Sequence, residues 1–71
     1  MNIDKIRNLI VKNIDKSVCF KLNGSRNQTE EFSGRIINAY RSVFIIRLLD
    51  TDMVRSFAYT DILIGNLEIK L

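Results

Sequence analysis

The side chains that could do chemistry in this chain are few, and their neighbours limit them. Cys19, Ser25 and Ser42 are the candidate nucleophiles, but the chain has no histidine to activate any of them. A thiol or hydroxyl attacks well only when an adjacent base or a depressed pKa makes it do so. Cys19 lies between Val18 and Phe20, and apolar flanks of this kind suit a buried structural cysteine. A single Cys forms no internal disulfide and no Cys/His zinc set. Asp50 and Asp52 flank Thr51 and carry the oxygen ligands a hard cation needs. Aspartates at that spacing between apolar runs are more commonly turn formers. Glu30-Glu31 lacks a second acid at a telling distance. No nucleophile, base and orienting group form a set, so the expectation is a protein without catalysis, metal or cofactor.

The remaining chemistry is charge. The chain has 71 residues and a net charge of +3. Lys21, Arg26, Arg35, Arg41 and Arg47 outnumber Glu30 and Glu31 in its middle third, whereas the stretch from Asp50 onward is acidic. Arginine's planar fork grips phosphate or carboxylate bidentately. Arg26 follows Asn23-Gly24-Ser25, and a Gly-containing loop offers free backbone N–H groups beside a guanidinium. Tyr40 can stack on a base or pack at the edge of the core with its hydroxyl satisfied. Tyr59 takes the second reading. Lys21, Arg26, Arg35, Tyr40, Arg41 and Arg47 are therefore the candidate residues for binding nucleic acid or a protein partner. A charge of +3 is modest for a nucleic-acid binder, and a solvated, arginine-dotted exterior explains the same residues.

The elements that would position them follow from periodicity. Ile3, Ile6, Ile10 and Ile14, widened by Leu9, form one helical stripe over residues 3–14. Asn2 is placed to cap this helix and Asn13 to end it in a left-handed conformation. From Ser17 the period changes to 2, and Val18, Phe20 and Leu22 alternate with Cys19 and Lys21 through residues 17–22. Asn23-Gly24 opens a polar loop. Residues 29–40 read as one long strand bent at Gly34, with Phe32, Gly34, Ile36 and Tyr40 on one face and Ile37 and Ala39 on the other. Val43–Leu49 and Met53–Ala58 are further strands around the Asp50-Thr51-Asp52 turn. Tyr59-Thr60-Asp61 suits a single helical turn, and Ile62–Leu71 a last strand. Five short strands after one helix predict a mainly β fold, a small Sm-like or SH3-like barrel. Residues 1–71 then make a single domain, with the helix over about 3–14 and the barrel over about 17–71.

Size and composition exclude further classes. A chain of this length hides only about 60% of its unfolded surface, which makes dimerisation attractive. No stretch approaches the ~20 apolar residues of a membrane span. The opening MNIDKIRNLIVKN carries charges every few residues and does not read as a signal peptide. The cytoplasm is the expected compartment, and Asn23-Gly24-Ser25 and Asn27-Gln28-Thr29 read as chance sequons.

Several blocks in order resemble the Veg family of small Gram-positive bacterial proteins. Lys21-Leu22-Asn23-Gly24-Ser25-Arg26 resembles its K-x-N-G-G-R. Ser33-Gly34 with Ile36 resembles its S-G-x-I, and Tyr40-Arg41-Ser42-Val43-Phe44-Ile45-Ile46 its Y-P-S-V-F-V-I. Val54 through Leu63 resembles its V-S-Y-S-Y-A-D-V/I-L. The chain departs from the pattern at Arg41, where the family has Pro, and in a loop that is less basic than G-G-R-R-K. The resemblance implies a small Sm/SH3-like barrel with no catalytic residue, linked to stimulation of biofilm formation through control of gene expression. It points to a protein partner, a repressor of matrix genes, as what is bound. A nucleic-acid module using the arginine patch is the alternative.

Overall fold

Helix α1 (Ile3–Lys12) forms where the apolar stripe demands it. Its first turn is closed by Asn2, whose side-chain oxygen accepts the Lys5 N–H at 2.9 Å. Ile6 and Ile10 are fully buried, and Ile3 and Ile14 pack against the same core. The computed structural model describes residues 2–24 and 28–70. Helix α1 ends two residues sooner than the stripe suggests. Asn13 is not left-handed (φ −109°); the positive φ falls instead at Asp15, at 70°. Asn13 caps the end with its side chain, which donates to the Leu9 carbonyl at 2.7 Å.

Five antiparallel strands follow in one sheet: β1 (Ser17–Asn23), β2 (Thr29–Ala39), β3 (Val43–Leu48), β4 (Val54–Ala58) and β5 (Leu67–Lys70). Their order across the sheet is β4-β3-β2-β1-β5. The sheet is not closed, because its hydrogen-bonded pairings end at β4 and β5, which are its two edges. Helix α2 (Tyr59–Leu63) carries the chain from one edge strand toward the other.

Two details depart from the expected strands. Strand β2 is irregular at Ile37, not at Gly34: Ile36 faces Ile46, but Asn38 already faces Ile45. The cause is the turn after α1. The Asp15 N–H donates to the Ile36 carbonyl at 2.7 Å, and the Ile36 N–H donates to Lys16 at 3.3 Å. The extra residue reverses the phase of the strand. Ala39 therefore packs against the core and Tyr40 is exposed, the opposite of their expected sides. Strand β5 begins at Leu67, five residues after the expected start at Ile62. Asp61 accepts the Ala58 N–H at 3.3 Å, which holds Ile62 and Leu63 in α2, and Gly65 at φ 86° ends that segment.

Five aromatic rings join the strands on the inner face. Phe20 lies 5.6 Å from Phe32 and 6.3 Å from Phe44, centroid to centroid, and Phe44 lies 5.6 Å from Tyr59. Phe57 completes the group at 5.9 Å from Phe32. Pairs at these separations add about 0.5–1.5 kcal/mol beyond their area burial. Tyr59 is buried, as expected, and its hydroxyl donates to the Tyr40 carbonyl at 2.6 Å. Cys19 is not buried. It is exposed on the outer face, its sulfur 3.5 Å from the Ser33 hydroxyl oxygen. The period-2 alternation that turns Val18 and Phe20 inward turns Cys19 outward.

Candidate functional site

The register of the sheet decides which candidate side chains meet. Arg35 on β2 and Arg47 on β3 are direct cross-strand partners, both exposed on the outer face. Opposed side chains on an antiparallel pair have Cβ atoms about 4.5–5.5 Å apart, and like charges there repel. Among the described residues, no carboxylate is ion-paired with either guanidinium. The two arginines line a cleft of about 360 Å³, together with Ile37, Leu48, Leu49, Asp15 and Asp52. Two cations, two anions and three aliphatic side chains thus share one concavity. Asp52 is held there by the β3–β4 turn, where it adopts a positive φ of 59° and donates its N–H to Leu48 at 3.1 Å.

The other candidates lie elsewhere. Lys21 sits between Glu31 of β2 and Glu68 of β5, its register partners, with its Nζ 3.8 Å from Glu68. Lys70 pairs with Glu31 at 2.9 Å, so this half of the outer face is internally neutralised. That hydrogen bond, and then the charge of Lys70, hold the Glu31 carboxyl below the ordinary carboxylate value. The same contact raises the Lys70 ammonium. Arg41 lies in the β2–β3 turn, six residues from Arg35, about 20 Å along an extended strand. Its carbonyl accepts a 3.5 Å hydrogen bond from Arg7, which is also paired with Asp4 at 2.8 Å. Tyr40 is exposed, and its hydroxyl accepts from Asn38 at 2.9 Å. Arg26 and Ser25 lie outside the described residues. The fold therefore brings together Arg35 and Arg47 and separates both from Lys21, Tyr40 and Arg41.

Other functional features are not obvious from residue types. Arg55, on β4, faces inward and lies over two rings, 5.2 Å from the Phe32 centroid and 5.1 Å from that of Phe57. Glu30 approaches the same guanidinium at 3.6 Å. An inward-pointing charge is a common device for protecting an edge strand. Its spacing of two residues from the buried Phe57 is the signal that places it on that face. Around the β3–β4 turn, Leu49, Met53 and Val54 are at least half exposed. Val54 is the register partner of Arg47, so Val54, Arg47 and Arg35 form a row across β4, β3 and β2. The three nucleophile candidates gain no activating base from the fold where they are described. Cys19 faces Ser33, and Ser42 uses its carbonyl to accept the Tyr59 N–H at 3.2 Å. No described helix is long and apolar enough to cross a membrane.

Comparison with known proteins adds one finding. A family model described as "Biofilm formation stimulator VEG" matches residues 1–70 of the chain. No curated protein matches it.

Proposed function

The chain belongs to the Veg family of biofilm formation stimulators, and from that premise we propose that it is a small, non-catalytic regulatory protein of the cytoplasm. It acts on gene expression by binding another protein, a repressor of matrix genes in the reading that the family suggests. The observation that carries the choice of partner is the dispersal of the cations. A nucleic-acid groove needs cations that track the phosphate backbone. Among the described candidates only Arg35 and Arg47 adjoin, and Asp15 and Asp52 line the same cleft. A mixed surface of arginine, methionine and aliphatic side chains is what protein interfaces favour.

A second reading rests on the strand order. A sheet ordered β4-β3-β2-β1-β5, with a short helix between β4 and β5, follows the plan of an Sm-like barrel left open. Such barrels bind bases with aromatic and basic side chains, and the Arg35–Arg47 couple, without an ion-pair partner among the described residues, suits a phosphate. Fluorescence anisotropy of labelled single-stranded RNA and duplex DNA, titrated with the protein at low and moderate salt, separates the two. The expected result is no saturable binding. Saturable binding that weakens steeply with salt and disappears in Arg35→Glu/Arg47→Glu overturns the protein-partner reading.

A further inference from the structure

We propose that the open edge of β4 takes up an extended acidic segment of the protein partner as a sixth strand, with Arg47 receiving a carboxylate from its outer face. This rests on the protein-partner reading above and gives it a place and a chemistry. β4 pairs with β3 alone and borders the sheet. The phase of its free groups follows from one bond: the Leu48 N–H donates to the Met53 carbonyl at 2.8 Å. Antiparallel pairs alternate between bonded and non-bonded. With Leu48/Met53 bonded, the next bonded pairs are Ile46/Arg55 and Phe44/Phe57. The N–H and C=O of Val54 and Ser56 then point away from the sheet. The next outward N–H, that of Ala58, already donates to Asp61 at 3.3 Å. The edge thus offers one compact set of backbone groups, at Val54 and Ser56, beside side chains that are small and exposed.

Charge selects the occupant. A residue arriving opposite Val54 would lie two strand spacings from Arg47, roughly 10 Å between backbones. A glutamate and an arginine reaching toward each other over a valine cover that gap. Arg47 has no carboxylate partner among the described residues. An incoming residue opposite Arg55 is on the inner face, where Glu30 already approaches that guanidinium at 3.6 Å; an alternating strand with its acids outward sets an apolar residue there. Antiparallel self-pairing of two β4 edges about Arg55 is disfavoured, since it sets Arg55 directly against its own copy.

The test uses the full chain and a fluorescein-labelled peptide of alternating glutamate and valine, followed by anisotropy. The expected result is saturable binding. It should weaken at least tenfold when alternate peptide nitrogens are methylated, which removes the strand's donors while its charge is kept. Ser56→Pro should weaken it to a similar degree. Proline is tolerated where an edge N–H faces outward, and circular dichroism checks that this variant remains folded. Arg47→Glu should also reduce binding, and an alternating lysine and valine peptide should not bind. Equal binding of the methylated peptide overturns the proposal, because the contact is then charge alone. Self-association that Ser56→Pro abolishes also overturns it, the edge then belonging to a second copy. No binding of either peptide, with none of RNA or DNA, removes the β4 site and leaves the protein-partner reading standing. Salt-sensitive binding of RNA or DNA lost in Arg35→Glu/Arg47→Glu removes that reading itself.

Discussion

Replacing Gly34 by valine tests how tightly β2 and β3 are packed behind the Arg35–Arg47 row. Gly34 is buried between Val18 of β1 and Leu48 of β3. A Cβ placed there would meet the Arg47 carbonyl oxygen and the Ile46 Cδ1, each at 3.2 Å. Backbone conformation is not the obstacle, since Gly34 is not among the positive-φ residues. The obstacle is space. Overpacking a core costs about 1–3 kcal/mol, and the backbone entropy recovered by removing a strand glycine returns about 0.5–1 kcal/mol. Alanine should therefore cost about 1 kcal/mol. Valine, with two more carbons and a wall of Ile46 and backbone in front of it, should cost about 2 kcal/mol or more. A chain of this size has roughly 4–10 kcal/mol to lose. Urea unfolding followed by far-UV circular dichroism reads the difference. With a slope near 1 kcal/mol/M, the valine midpoint should fall by about 2 M. Wild-type, alanine and valine should rank in that order. Equal midpoints for wild-type and valine would refute the close approach of β2 and β3.

Further outcomes follow from the same geometry. Arg47→Glu replaces a repulsive cross-strand pair by an attractive one and should stabilise the fold by about 0.5 kcal/mol; a lower thermal midpoint would contradict the Arg35–Arg47 register. Tyr59→Phe removes the hydrogen bond to the Tyr40 carbonyl and should cost about 1–2 kcal/mol, read in the same urea assay. Burial also raises the Tyr59 phenol above its ordinary value. The stability tied to its neutral form is whole below about pH 10 and is lost as pH rises through the higher folded value, so Tyr59→Phe should remove this alkaline limb. Glu31 behaves oppositely: with its folded pKa lowered by Lys70, its contribution is present above about pH 4.3 and is lost as pH falls through the folded value. Glu31→Gln should flatten the acid limb of a stability–pH curve, and an unchanged limb would count against the Lys70 pair.

Local patterns were readable where local physics decides them. The Ile6 and Ile10 stripe, the Asn2 cap and the inward Val18, Phe20, Phe44 and Ile46 need only the helical and strand periods. Cys19 shows two local arguments in conflict, apolar flanks against alternation, and alternation is the one the fold obeys. The features that sequence reasoning missed are non-local. The phase reversal at Ile37 goes with two hydrogen bonds, from the Asp15 N–H to the Ile36 carbonyl and from the Ile36 N–H to the Lys16 carbonyl, between residues about twenty apart in the chain. The open sheet depends on whether β4 and β5 meet, which no strand pattern encodes. The candidate site divides in the same way. Arginine content was legible, but that Arg35 faces Arg47 is a matter of register, while Arg41 stays in the β2–β3 turn.

Placing a photo-crosslinking residue at Val54 in living cells tests the central claim most directly, with a second placement at the exposed Lys12 as the reference. The account predicts a discrete adduct from position 54 alone, sensitive to protease and resistant to nuclease, and weakened by Arg35→Glu/Arg47→Glu. An adduct destroyed by nuclease, or equal adducts from both positions, would contradict it.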